Sequence, residues 1–220
     1  MTCCVIIPFF NEKNFIREVV EISASYCESI FAVDDGSTDG GADTIPKIPG
    51  VEIFTLEKNQ GKGAALRLGF IQAIKRGFDT VITLDGDKQH NPEFIPKFLE
   101  ELKINPVVIG KRKFDTSIMP FHRILSNSIS SFLISLKTGI QVLDSQSGYR
   151  DFQCSLLKQI LPDENGYIAE TEMLIKASKY CNSFAWVDIP TIYGEEKSKM
   201  KNIETTLKFV KQIVKPLGDL

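Results

Sequence analysis

This 220-residue chain offers little that would staple a fold covalently or around a metal. Its five cysteines, Cys3, Cys4, Cys27, Cys154 and Cys181, are odd in number, and no two are spaced Cys-x-x-Cys. That argues against a disulfide framework or a zinc knuckle and for small core residues with free thiols in a reducing cytosol. No stretch approaches the ~18 consecutive apolar residues that mark a membrane span. The opening segment, Thr2 to Pro8, has neither a basic nor a long apolar part, so it is expected to be a strand rather than a leader. These absences predict a soluble, cytoplasmic protein, with peripheral contact at a membrane face left open. Net charge is −2, which excludes a global field for nucleic acid. No G-x-G-x-x-G follows the first strand, which weighs against a nicotinamide-dependent oxidoreductase. A Gly-rich opening of the pyrophosphorylase kind is missing too, and there is no internal repeat or flexible linker.

What is present is an alternation. Short runs rich in Val and Ile, at Cys3–Ile7, Ile30–Val33, Val51–Leu56, Val81–Leu84 and Val107–Ile109, read as strands of a sheet interior. Helical patterns separate them at Glu12–Ser25, Gly63–Arg76 and Pro92–Leu102. Strands alternating with helices predict an α/β fold, a doubly wound and mostly parallel sheet flanked by helices. The second half is less regular: an amphipathic helix at Pro120–Leu136, helices at Cys154–Leu161 and Glu170–Tyr180, and strands at Ser147–Phe152 and Phe184–Ile189. A single domain over 1–220 is the economical organisation, closed by an amphipathic helix at about 203–214.

In an open parallel sheet, ligands bind beyond the carboxyl ends of the strands. Four polar clusters fall there: Pro8-Phe9-Phe10-Asn11-Glu12, Asp34-Asp35-Gly36-Ser37-Thr38-Asp39-Gly40, Asn59-Gln60-Gly61-Lys62-Gly63 and Asp85-Gly86-Asp87-Lys88-Gln89-His90. Asp85 and Asp87, one residue apart at a strand end, can face a common ion. Hard oxygen donors suit Mg²⁺ or Mn²⁺, which also bind substrate phosphates. Asp34 and Asp39 can instead cap the next helix. Lys62 between two glycines fits either a phosphate cradle or a plain helix-entry turn.

Together these runs resemble the family 2 glycosyltransferases, whose nucleotide-sugar-binding fold is often called GT-A. The likeness runs well over about the first 150 residues and more weakly to Ser198. Val5-Ile6-Ile7-Pro8-Phe9-Phe10-Asn11-Glu12 matches the opening motif, with Phe10 where Tyr is usual. Val33 to Asp39, Asn59 to Ala65 and Leu84 to His90 match three further motifs in order. Within the family the chain is most similar to dolichol-phosphate mannosyltransferases and related polyprenyl-phosphate enzymes, through Gln89-His90 and Asp144-Ser145-Gln146-Ser147-Gly148-Tyr149-Arg150.

The resemblance implies roles. Pro8, Phe10, Glu12 and Asp35 surround base and ribose, with Lys62 and Asp85 also on the donor. Asp85, Asp87 and Gln89 hold the metal and diphosphate. Arg112 and Arg123 meet phosphate groups, and Arg150 fits the same use. Asp144 is the candidate acceptor-side carboxylate. The implied reaction is an inverting displacement that moves a sugar, mannose from GDP-mannose by preference, to a polyprenyl or dolichyl phosphate. Transfer from UDP-glucose to a carbohydrate hydroxyl is the rival, and a nucleotide-sugar-binding protein without activity is the non-enzyme alternative. One departure is that residues 193–199 carry two acids and no arginine where related enzymes often have one, leaving Lys197 or Lys199 as point charges.

The terminal helix carries Leu207, Val210, Ile213 and Val214 at helical spacing, with Lys208, Lys211 and Lys215 off that stripe and Lys197, Lys199 and Lys201 before it. Two expectations follow: a basic amphipathic helix on a membrane surface or over the acceptor site, or a helix packing its stripe on the sheet.

Overall fold

A computed structural model describes residues 1–117, 119–192 and 202–217. The anticipated elements are all there. Strands β1 (Cys3–Phe9), β2 (Ile30–Asp34), β3 (Val51–Thr55), β4 (Thr80–Thr83), β5 (Val107–Arg112), β6 (Arg150–Gln153) and β7 (Ala185–Ile189) form one sheet. Helices α1 (Ile16–Ala24), α2 (Lys62–Lys75), α3 (Ile95–Leu102), α4 (Phe121–Thr138), α5 (Cys154–Leu157), α6 (Ala169–Ala177) and α7 (Asn202–Val214) flank it. The sheet order is β3-β2-β1-β4-β6-β5-β7.

The apolar runs are continuous rather than alternating because both faces of the sheet are covered. Along β1, Cys4 and Ile6 enter one core with Phe31, Val33 and Val81, beneath Leu66 and Phe70 of α2 and Met173 and Leu174 of α6. Val5, Ile7 and Phe9 enter the other core with Ile30, Ala32 and Ile82, beneath Val19 and Val20 of α1 and Phe98 and Leu102 of α3. The period-2 alternation of a strand thus sorts neighbouring residues into two separate hydrophobic layers.

Every pairing is parallel except those of β6, which runs antiparallel to both β4 and β5. This reversal decides where the site lies. A parallel strand delivers the residues that follow it to the carboxyl edge of the sheet. An antiparallel one delivers the residues that precede it. Arg150 pairs with Thr83 and Ile109, so residues 144–149 lie at the same edge as the loops after β1, β2 and β4. The Thr83 hydroxyl fixes this register by donating to the Gly148 carbonyl at 2.8 Å.

Two helices depart from expectation. On α7 the inward side chains are Phe209 and Ile213, which pack against the first core, and the buried Gln212. Leu207, Val210 and Val214 stay exposed, so of the stripe read from spacing only Ile213 belongs to the packed face. On α4 the buried residues are Asn127, Ser131 and Ile134, two of them polar. Residues 193–201, and with them Lys197, Lys199 and Lys201, lie outside the described residues.

Candidate functional site

The loops after β1 and β2 are locked together by side chain to backbone bonds. Asn11, at φ 55°, accepts from Thr38 N at 2.9 Å, and its own N–H donates to the Ser37 hydroxyl at 2.9 Å. Asp39 accepts from Lys13 N at 2.9 Å and Gly41 N at 2.8 Å. Asp34 caps the second loop through Ser37 N at 2.8 Å. Pro8 stands at the end of β1 opposite Val33. Phe10 follows, partly buried, and Glu12 is buried at the entry to α1, where its carbonyl accepts from Ile16 N.

Asp35 bridges to the third loop. Its two oxygens accept from Gln60 N at 2.7 Å and Gly61 N at 2.8 Å. Burial pushes its carboxyl above the usual range, and the two amides only partly oppose this. Gly61 then opens α2 at φ 101°, a conformation that side-chain-bearing residues avoid. A Cβ there would lie 2.5 Å from the Asn165 carbonyl. The turn aims the next residue, Lys62, across the sheet edge.

The Lys62 ammonium lies 2.6 Å from Asp85 Oδ1 and 3.0 Å from Glu170 Oε1. Burial alone would lower it, but the two carboxylates outweigh that and hold it above its ordinary value. Burial would likewise raise Asp85, yet the lysine holds it below the carboxylate range. Asp85 is therefore an anion kept in place by a cation. His90 Nδ1 accepts from Asp85 N at 3.0 Å, which places its proton on Nε2. Burial pushes the imidazole down to about 4, so it is neutral at pH 7. Lys88, at φ 64°, turns the chain between the two carboxylates and His90. Such backbone strain in a side-chain-bearing residue concentrates at functional loops. Gln89 N donates to Asp87 Oδ1 at 3.0 Å, closing the turn.

The segment before β6 completes the arrangement. A Cβ on Gly148 would stand 2.7 Å from both Asp85 Oδ2 and Lys62 Nζ, so a glycine leaves the space that this ion pair fills. Beside it Asp144, with no exposed surface, accepts the fork of Arg112: Nε at 2.8 Å and Nη2 at 2.9 Å. Arg112 N adds a third bond at 3.1 Å and Asn127 Nδ2 a fourth at 2.7 Å. Burial would raise this carboxyl, but Arg112 holds it below the usual range. Arg123 lies one helical turn before Asn127, on the same face of α4.

The edge thus gathers four loops and the Asp144 segment, with Asp85, Lys62, His90 and Glu170 in one cluster and Arg112, Asp144 and Asn127 in another. Residues 4–161 match the profile described as Glycosyl transferase family 2. The chain belongs to that family. It is a glycosyltransferase on a GT-A fold. Among curated relatives, an undecaprenyl-phosphate mannosyltransferase of Micrococcus luteus is 26% identical, covering 90% of this chain and 85% of its own. A UDP-N-acetylglucosamine–dolichyl-phosphate N-acetylglucosaminyltransferase of Methanococcus voltae is 32% identical, covering 87% and 86%. In structure, glucosyl-3-phosphoglycerate synthase of Mycobacterium tuberculosis in complex with uridine diphosphate superposes with a TM-score of 0.78 at 20% identity, covering 99% of this chain and 80% of that one. That likeness speaks to the fold.

Arg150 corrects an expectation. It is 1% exposed, and its guanidinium donates to the carbonyls of Ser147 at 2.8 Å, Glu170 at 2.6 Å and Ser145 at 2.8 Å. It is a backbone clamp under this glycosyltransferase's site, not a phosphate ligand. Glu170 and Asn127 were not anticipated. Glu170 sits 108 residues from Lys62, and an acid in the first turn of a helix carries no local sign of a distant partner.

Proposed function

We propose that this glycosyltransferase moves a hexose from a nucleotide-sugar to a polyprenyl phosphate, with Mg²⁺ or Mn²⁺ held by Asp85, Asp87 and Gln89. The observation that carries this reading is the Asp85–Gly86–Asp87 turn at the edge shared by β1, β2 and β4, where the strand order switches direction between β1 and β4. Its donors are hard oxygens, and the Asp85 side chain keeps 26% exposure toward the edge. Among the described residues no three His, Cys, Asp or Glu side chains form a self-sufficient cage. Such a site fits an ion whose shell is completed by phosphate oxygens and water, the usual habit of Mg²⁺ and Mn²⁺. When bound, the ion neutralises charge on the departing diphosphate.

The chain's own residues do the rest. Pro8, Phe10, Glu12 and the Asp35-braced loops form the base and ribose side. Lys62 fixes the Asp85 carboxylate before substrate arrives, which spares reorganisation during reaction. Arg112, oriented by the Asp144 fork, and Arg123 face incoming phosphate. An oxygen of the acceptor phosphate attacks the anomeric carbon, its bond to the diphosphate oxygen breaks, and the nucleoside diphosphate leaves with inversion. A lipid phosphate is ionised near neutral pH and needs positioning rather than a base. Asp144, buried and saturated with donors, suits positioning of Arg112 and not proton abstraction. The polyprenyl- and dolichyl-phosphate acceptors named for two curated relatives support the same acceptor class.

For the donor, GDP-mannose is the first choice and UDP-N-acetylglucosamine or UDP-glucose the next. A thermal-shift screen of nucleotide-sugars, each with and without Mn²⁺, tests this directly, since a ligand that binds only the folded state raises Tm. One donor should raise Tm in a metal-dependent way. A panel in which no nucleotide-sugar shifts Tm with metal present rejects the reading.

A further inference from the structure

Helix α4 is built inside out. Its inner face carries Asn127, Ser130, Ser131 and Ser135, tied by hydrogen bonds to Asp144, Ser145 and the backbone of Val142. Its outer face carries the large apolar side chains: Phe121 is 67% exposed, Leu125 48%, Ile129 50%, Phe132 61% and Leu136 66%. Steps of four, four, three and four residues put these five on one stripe along the 18-residue helix. A soluble surface helix normally buries such a stripe and shows its polar face to water. Large contiguous exposed apolar patches mark interaction sites.

The charge pattern says what the stripe meets. From Thr116 through Leu143 the sequence has no Asp or Glu, while Arg123 and Lys137 flank α4's two ends and His122 lies between Phe121 and Arg123. An apolar face on a segment without acids fits an anionic lipid surface, with Lys211 of the neighbouring α7 and Lys215 just after it supplying positive charge nearby. A paired coiled-coil seam would instead be expected to carry charges of both signs along its flanks. The neighbouring α7 extends the apolar exposure. Lys137 Nζ donates to the Ile213 carbonyl at 3.1 Å and to the Lys215 carbonyl, joining the two helices, and α7 leaves Leu207, Val210 and Val214 exposed.

We propose that the outer stripe of α4 docks this enzyme on an anionic membrane surface, with α7 beside it. This rests on the reading that the acceptor is lipid-borne and gives it a place. Asn127, on the inner face of the same helix, bonds Asp144 and through it Arg112. The helix that lies in the lipid headgroups therefore also bounds the phosphate-facing cluster, so an acceptor phosphate enters the site at the membrane plane. Among the described residues no helix is long and apolar enough to cross a bilayer, which leaves surface docking as the contact this part of the chain can supply.

The test is co-sedimentation of the full chain with phosphatidylcholine vesicles, with and without phosphatidylglycerol, and no substrate present. The comparison variant is Ile129→Ser with Phe132→Ser, two exposed positions outside the catalytic cluster. Leu125→Gln with Leu136→Gln stands in if circular dichroism shows the first pair misfolded. The wild type should bind phosphatidylglycerol vesicles, weaken with salt, and lose about tenfold or more in affinity in the variant. Transfer to a short-chain polyprenyl phosphate in solution should be unchanged in the variant, while transfer to a long-chain acceptor in vesicles falls. A wild type that stays in the supernatant overturns the proposal, as does a variant that binds equally well. So does a wild-type dimer that the variant dissolves while neither binds vesicles, because the stripe is then a self-association face. A protein that glycosylates the short-chain acceptor yet ignores vesicles refutes the docking surface alone. One that docks by α4 but forms no lipid-linked sugar refutes the acceptor reading alone.

Discussion

Gly148→Ala tests the packing of the site without touching a charged group. The added Cβ would fall 2.7 Å from Asp85 Oδ2 and Lys62 Nζ and 3.0 Å from Asp85 Oδ1, where ordinary contact begins near 3.4 Å. The carboxylate and the ammonium must each retreat by about 0.7 Å. Lys62 has a flexible stem, but its ammonium is also held 3.0 Å from Glu170. Asp85 is tethered through its backbone N–H to His90. Misplacing a reacting group by 1 Å costs about a hundredfold in rate, so a shift of this size should cost about ten- to a hundredfold in kcat. Overpacking of this kind costs about 1–3 kcal/mol of stability. The assay is nucleoside diphosphate release under saturating donor, with metal titrated, beside a thermal melt. A folded Gly148→Ala enzyme with wild-type turnover and wild-type metal dependence would refute the claim that this space belongs to the Asp85–Lys62 pair.

Asp87→Ala should abolish metal-dependent transfer while far-ultraviolet circular dichroism stays unchanged; full activity in the folded variant removes Asp87 from the metal site. Arg112→Lys keeps the charge but loses the fork to Asp144, so kcat/KM should fall about ten- to a hundredfold, matching about 1–3 kcal/mol of lost charge-assisted bonding, and steady-state kinetics at wild-type level would contradict the positioning role. Asp151 of β6 is buried and accepts from the Thr80 hydroxyl of the adjacent β4, and burial pushes its carboxyl well above the usual range. Its folded value exceeds its unfolded one, so the stabilising contribution is full below about pH 3.9 and is lost as pH rises toward the folded value. Asp151→Asn should therefore raise Tm at pH 7 more than at pH 4, and an equal or opposite change at the two pH values refutes the assignment.

The positions of the strands and helices were legible because both faces of this sheet are covered, so each strand appears as an unbroken apolar run between turn residues. The direction of β6 was not legible. Residues 147–152 have the composition of a strand either way, and only the long-range pairing of Arg150 with Thr83 and Ile109 fixes it. That reversal also hid the use of Arg150, whose buried clamp on three carbonyls cannot be told from a phosphate-binding arginine by spacing. The Asp85–Asp87 turn and the loops after β1 and β2 were legible because each follows a strand directly. Glu170 and Asn127 were not, since each joins the cluster through tertiary contacts made by a helix far along the chain. On α4 the periodicity was visible, but the pattern does not say which face turns inward. A serine-rich face buries because Asp144 and Ser145 offer it partners.

The activity proposed for this enzyme is the transfer of sugar to a polyprenyl phosphate with a divalent ion at Asp85 and Asp87. It is tested most directly by incubating the enzyme with GDP-mannose, UDP-N-acetylglucosamine and UDP-glucose in turn, with polyprenyl phosphate and Mg²⁺ or Mn²⁺, and extracting the lipid for mass spectrometry. The expected product is a lipid-linked hexose or N-acetylhexosamine phosphate from one donor, absent when the metal is chelated. Formation of a soluble glycoside with no lipid product, or a lipid product undiminished by chelation, would contradict it.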